Sequence, residues 1–173
     1  MKLSNKIKKS FSLKENNLLK IDSTAKFFIE IFDLEDLKNI QNFISTKKIN
    51  FCILGEGSNV VLPNLLNKFV ITISFNEISI EDNLITVGAG KNWDDFVLWS
   101  LENGYCGLEN LSGIPGSIGA APIQNIGAYG SEVSDFIDEV ICFDMDSNNL
   151  VSFTNDDCKF SYRQSIFQDK DSL

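Results

Sequence analysis

Apolar positions recur along the chain with two different periods, and each change of period predicts an element. In "KFFIEIF" (26 to 32) aromatic and β-branched residues crowd together as they do in a strand. Directly after it Leu34, Leu37, Ile40, Phe43 and Ile44 fall three or four apart, the spacing of one helix face, with Asp33 ahead of them as N-cap and Lys47 near the end. "INFCIL" (49 to 54) reads as a buried strand, and Val60 to Leu62 as a second apolar run beyond the turn "GEGSN". Strand, helix and strand therefore make a small α/β unit over residues 21–66. A second unit, 67–173, begins with "FVITIS", "EISI" and "LITVGAG" as short strands. "NWDDFVLWSLENG" follows as a helix capped by Asn92 and stopped by Gly104. "FIDEVICFD", the turn "MDSNN" and "LVSF" form a hairpin, and "CKFSYRQSIF" continues as extended chain. Residues 1–20, rich in Lys, Asn and Ser, read as a flexible arm.

Charge narrows the classes of partner. The formal net charge of −9 and pI near 4.5 disfavour an extended nucleic-acid surface, which needs a basic face. No apolar run approaches a membrane span or a signal peptide, so the expected compartment is the cytoplasm. The cysteines at 52, 106, 142 and 158 form no CxxC pair and the chain has no histidine, so no metal site is expected and the thiols are read as reduced and mostly buried. Arg163 is the sole arginine in a chain where lysine serves everywhere else. A guanidinium fork can hold a carboxylate in a fixed plane, which a lysine cannot, although a surface ion pair explains one arginine equally well.

Glycine is the most unevenly distributed residue. All eleven lie between positions 55 and 130, and "LENLSGIPGSIGAAPIQNIGAYG" (108 to 130) holds five of them. Clustered glycine permits positive φ and lets backbone N–H groups approach an anion closely. "GEGSNV" lacks the third glycine of a dinucleotide fingerprint and runs into Val60, Val61 and Leu62 rather than a helix, so a tight turn explains it as well. The 108 to 130 segment is too long for a turn and too apolar for a solvated linker. Either it packs irregularly on its own domain, or a ligand with many acceptor oxygens lies along it.

Four separated stretches, "ILGEGSNVVL", "VGAGKNWDDFV", "GLENLSGIPGSIGAAPIQNIGAYGSEV" and "CKFSYRQSIF", stand in the order and spacing of a known family. Through them the chain resembles the UDP-N-acetylenolpyruvoylglucosamine reductases, flavoenzymes of peptidoglycan precursor synthesis, over roughly residues 20 to 168. The resemblance implies an α+β fold, the two-part FAD-binding fold of the vanillyl-alcohol-oxidase (PCMH) type, with the flavin held between the two parts. It implies tightly bound FAD, with NADPH as co-substrate, and a hydride passed to UDP-N-acetylglucosamine enolpyruvate to give UDP-N-acetylmuramate. It assigns FAD to Gly55, Glu56, Gly57, Ser58, Asn59 and Val60 in the first turn, and to Gly90. In the glycine-rich segment it assigns Pro115, Gly116, Ser117, Gly119, Ala120, Ala121 and Pro122, then Asn125, Gly127, Ala128, Tyr129 and Gly130. Arg163 matches the family's catalytic arginine, where a planar cation stabilises an enolate, and Tyr162 joins it in holding substrate.

Three departures qualify the likeness. "NNLLKID" (16 to 22) stands where the family commonly has Asn-Thr and an aromatic residue, and Gln164 follows the arginine where Asp is usual. The chain ends in "QDKDSL", ahead of the family's substrate-binding domain with its proton-donating serine and its glutamate. Ser165 and Ser172 replace neither; each is read as a solvated hydroxyl. The expectation is an FAD-binding portion that lacks the carboxyl-terminal substrate domain and is inactive alone. The alternative is a non-catalytic flavin- or nucleotide-binding module served by a separate chain; the "YRQSIF" motif disfavours an oxygen-using relative. Uncovered strand edges imply self-association.

Overall fold

A computed structural model describes residues 6–168, and its first strand lies in the lysine-rich stretch read above as a flexible arm. Lys8–Ser12 (β1) pairs antiparallel with Thr24–Ile31 (β2), Lys8 opposite Phe28 and Ser12 opposite Thr24. Phe11 stacks on Phe28 with ring centroids 4.0 Å apart, and Leu13 is fully buried. Lys6 pairs with Asp36. Two apolar anchors in a polar stretch are enough to order it, which the composition of residues 1–20 conceals; residues 1–5 lie outside the described residues.

Asp33 caps helix Leu34–Lys47 (α1) by accepting from the Asp36 N–H, and Leu37, Ile40 and Ile44 are its buried face. Phe51–Ile53 (β3) and Leu65–Ile73 (β4) complete a four-stranded sheet in the order β1-β2-β4-β3, with β4 parallel to both β2 and β3. The central pair supplies the buried residues Phe28, Ile29, Ile31, Val70 and Ile71, the continuous apolar run of strands covered on both faces. Each such side chain contributes about 1.5–3 kcal/mol. By contrast β3 is an edge strand with Ile53 exposed, where the sequence predicted a buried one. Val60 to Leu62 is irregular, with Pro63 just before β4.

Ile78–Glu81 (β5) and Leu84–Val87 (β6) form a hairpin. The chain divides into two compact units, Met1–Gly90 and Lys91–Leu173. The division predicted at 66/67 falls inside β4 instead, because that strand carries the central pairings of the first sheet.

The second unit opens with Trp93–Glu102 (α2), capped by Asn92 as predicted, its side chain accepting from the Asp95 N–H. The glycine-rich segment has almost no regular structure, only short 3-10 turns and the two-residue ladder of Gly127–Ala128 (β7) with Ser131–Glu132 (β8). It is nonetheless packed: Leu111, Ala121 and Val133 share a core with Trp93 and Val97 of α2. Glu139–Asp144 (β9) and Asn149–Thr154 (β10) are the predicted hairpin. "CKFSYRQSIF" is not extended; it is a tight turn and a 3-10 turn, Ile166–Gln168, with Phe167 buried. Only Cys158 of the four thiols is buried, and Cys106 is exposed.

Candidate functional site

Glycines at two places in the first unit sit where a side chain has no room. A Cβ at Gly57, whose φ is +63°, would lie 2.5 Å from the Asn16 carbonyl oxygen, and Gly57 in turn accepts the Leu18 N–H. The loop it meets is organised by buried Asn17, which donates to the carbonyls of Leu13 and Ile21 and accepts the Ile21 N–H. Around it Gly55 and Ser58 are half-buried, while Glu56, Asn59 and Val60 are exposed. At Gly90 a Cβ would lie 2.4 Å from the Ile73 carbonyl oxygen. This neighbour was not foreseen for a residue assigned to the cofactor.

The second unit holds both kinds: a Cβ at Gly127 would lie 2.7 Å from the Ser131 carbonyl oxygen, whereas two other glycines are open. Gly113 and Gly130 have φ of +76° and +84°, and nothing lies within 4 Å of a Cβ built on either. Between them, the Trp93 backbone N–H donates to the Gly116 carbonyl and that of Ile118 to the Lys91 carbonyl, which fastens Gly116 to Ile118 along the start of α2. The N–H groups of Gly116, Ser117 and Gly119 donate to no acceptor among the described residues. Backbone donors in or beside a packed core demand a partner. Gly119, Ala120 and Pro115 are exposed, while Ala121 and Pro122 are buried beneath them. Asp94 steadies the approach to this strip: it accepts from the Gly113 N–H at 2.7 Å and the Ser112 hydroxyl at 2.8 Å, bonds that hold its carboxyl below the usual range.

Beyond the strip, the chain folds back on itself. Ser161 and Gln164 exchange backbone hydrogen bonds of 3.1 and 3.0 Å, so that Tyr162 and Arg163 form the loop of a tight turn. Arg163 has φ of +56°, a left-handed conformation that costs glycine little and arginine considerably more. Its guanidinium donates to the Gly127 carbonyl at 2.7 Å, lies over the exposed Tyr162 ring and remains open to solvent. Tyr129, 89 % exposed, also has positive φ. Asn125 is fully buried, and its side chain is spent on protein partners: Glu132, the Ser161 carbonyl and the Ser134 N–H. Ser165, read from sequence as a solvated hydroxyl, is buried; it donates to the Ile123 carbonyl at 2.7 Å and accepts the Phe167 N–H. The second unit thus brings together Asn125, Gly127, Tyr162 and Arg163. Asp94 and Glu132 were not singled out, because no motif marks the pairings of Asp94 with Ser112 and Gly113 or of Glu132 with Asn125.

Set against known proteins, residues 25–150 match the model of the FAD binding domain family. The chain belongs to that family. It is 41% identical over 168 residues to the UDP-N-acetylenolpyruvoylglucosamine reductase of Polynucleobacter asymbioticus, covering 94% of this chain and 49% of that protein. The chain spans about half the length of the curated relatives it matches. Among solved structures, UDP-N-acetylenolpyruvylglucosamine reductase (MurB) of Thermus caldophilus superposes with a TM-score of 0.74 at 26% identity, over 90% of this chain and 55% of that one. A VAO-type flavoprotein of Myceliophthora thermophila shares the fold, with a TM-score of 0.57 at 16% identity over 74% and 26% of the two chains. The likeness read from the four motifs and the α+β FAD-binding fold are therefore as expected. No helix among the described residues is long and apolar enough to cross a membrane.

Proposed function

We propose that the chain is the FAD-binding part of an NADPH-oxidising reductase that converts UDP-N-acetylglucosamine enolpyruvate to UDP-N-acetylmuramate. The observation that carries this reading is the strip of unpartnered N–H groups at Gly116, Ser117 and Gly119. It fits a pyrophosphate: donors from backbone need no basic side chain, which suits a chain of net charge −9. The open space beside Gly113 and Gly130 suits a cofactor that approaches main chain. By the family likeness FAD is also assigned to the 55–60 turn and to Gly90.

When bound, FAD supplies the chemistry of taking a hydride from NADPH and delivering it to the enolpyruvyl double bond. Arg163 meets the negative charge that develops beside the substrate carboxylate, a task for a planar, permanently charged fork. Its left-handed backbone supports that role, because a residue kept at a position that favours glycine is kept for its side chain. Tyr162, exposed beside it, offers a phenol to the same ligand.

The test is flavin absorbance after incubation with FAD and desalting. Stoichiometric retention by the chain is expected, with loss in Gly119→Asp, which sets a carboxylate beside the free donors. An unaltered melting temperature in that variant would show that the cradle, not the fold, has been changed. A folded wild-type chain that retains no flavin overturns the reading.

A further inference from the structure

Three side chains join residues 161–165 to residues 123–127: Ser165 donates to the Ile123 carbonyl, Asn125 to the Ser161 carbonyl and Arg163 to the Gly127 carbonyl. They are not equivalent. The Arg163 guanidinium is solvent-exposed and its bond to Gly127 has to loosen whenever the fork turns to an anionic ligand. Asn125 is fully buried and has nowhere else to turn. Its amide is held at each hydrogen-bonding edge. One N–H goes to the Glu132 carboxylate at 2.7 Å, a second contact runs to the Ser161 carbonyl at 3.1 Å, and Oδ1 accepts the Ser134 N–H at 3.1 Å. The charged partner fixes the plane of the amide and so aims the donor at Ser161. Asn125 itself has φ of +43°, which asparagine tolerates better than most residues.

We propose that Asn125 is a positioning residue for Arg163: it holds the 161–164 turn on the glycine-rich segment so that the guanidinium can exchange the Gly127 carbonyl for an anion while its Cα stays in place. The inference rests on reading Arg163 as the group that meets the anion. Without this brace, the strained backbone at Arg163 would relax as soon as the guanidinium left, and the fork would lose its aim. An aspartate in place of Asn125 keeps the size but offers no donor to Ser161, and sets a second carboxylate against Glu132.

The chain carries one arginine, so its side-chain N–H resonances report on this turn without assignment ambiguity. In the full chain without FAD, Asn125→Ala and Asn125→Asp are each expected to move the Arg163 Nε resonance toward that of free arginine. Rotation of the guanidinium should quicken about fivefold, the loss of one hydrogen bond's worth of order. Val97→Ala, a cavity in the core of the same unit, controls for general destabilisation and is expected to leave Arg163 unchanged. Wild-type Arg163 signals in the folded Asn125 variants, or an equal change in Val97→Ala, overturn the proposal. Should both Asn125 variants be unfolded, Glu132→Gln, which removes the charge that orients the amide, is read by the same criteria. Flavin retention is measured separately on the wild-type chain. A chain that retains flavin, with Arg163 indifferent to Asn125, defeats this inference alone, and a chain that retains none defeats the functional reading alone.

Discussion

The glycines at 57, 88 and 90 and those at 113 and 130 look alike in the sequence and are opposites in the structure. At the first three a Cβ would strike main chain at 2.4 or 2.5 Å, so the protein's own backbone occupies the space a side chain would take. At the other two that space is empty, and positive φ alone calls for glycine. Emptiness by itself is ambiguous, since Gly104 is equally open merely because it ends α2. In the 113 to 130 segment the open space lies beside backbone donors that have no acceptor among the described residues, at Gly116, Ser117 and Gly119. A glycine cluster therefore signals a ligand only where the room it creates remains unfilled and donors without partners lie within the same stretch.

The comparison breaks most visibly if alanine is put into the closed set. Gly90→Ala drives a methyl into the Ile73 carbonyl and the Ser74 Cα, neither of which can swing aside, and a loss of about 3 kcal/mol or more is expected. Thermal unfolding would register this as a large drop in melting temperature with or without FAD. A Gly90→Ala chain as stable as wild type would mean that the close approach is not a constraint.

In the open set the same change should be mild for the fold and severe for the ligand. Gly113→Ala has only the left-handed backbone to meet, about 1 kcal/mol, and no atom to displace. Its flavin retention is expected to fall while its melting temperature moves little. Equal losses of stability in Gly113→Ala and Gly90→Ala would erase the distinction between the two sets.

This distinction explains how far the sequence could be read. Both helices and their caps, Asp33 and Asn92, were legible because capping and apolar spacing are local signals. The hairpin of β9 and β10 was legible for the same reason. Polar β1 was not: its order comes from Phe11 on Phe28 and from Leu13, contacts made across a turn to a later strand. The turn at Arg163 was read as extended since no glycine or asparagine marks its left-handed residue. In the site, motif residues could be picked out by type and spacing, but nothing local says that Asn125 spends its amide on Ser161, 36 positions away. Nor could the sequence separate filled glycines from open ones, because that difference lies in what packs beside them.

The smallest effect expected concerns how the two kinds of glycine are held. The Gly90 N–H donates to the Phe75 carbonyl, which does not titrate, whereas the Gly113 N–H donates to the Asp94 carboxylate. That bond, with the one from Ser112, depresses the Asp94 pKa below its ordinary 3.8. A depressed carboxylate adds stability above its unfolded value and loses it as pH falls through the lower folded one, so the support given to Gly113 is intact at neutral pH and is lost as pH falls below the ordinary 3.8. Asp94 is only half-buried, and screening keeps the contribution small. In an amide proton titration of the folded chain, Gly113 should therefore show a step with its midpoint below 3.8 while Gly90 stays flat. Asp94→Asn, read at neutral pH, should shift Gly113 alone of the pair. A flat Gly113, or a midpoint above the ordinary value, would mean that the open strip is not anchored through this carboxylate and that its conformation is held by the α2 contacts of Gly116 and Ile118 alone.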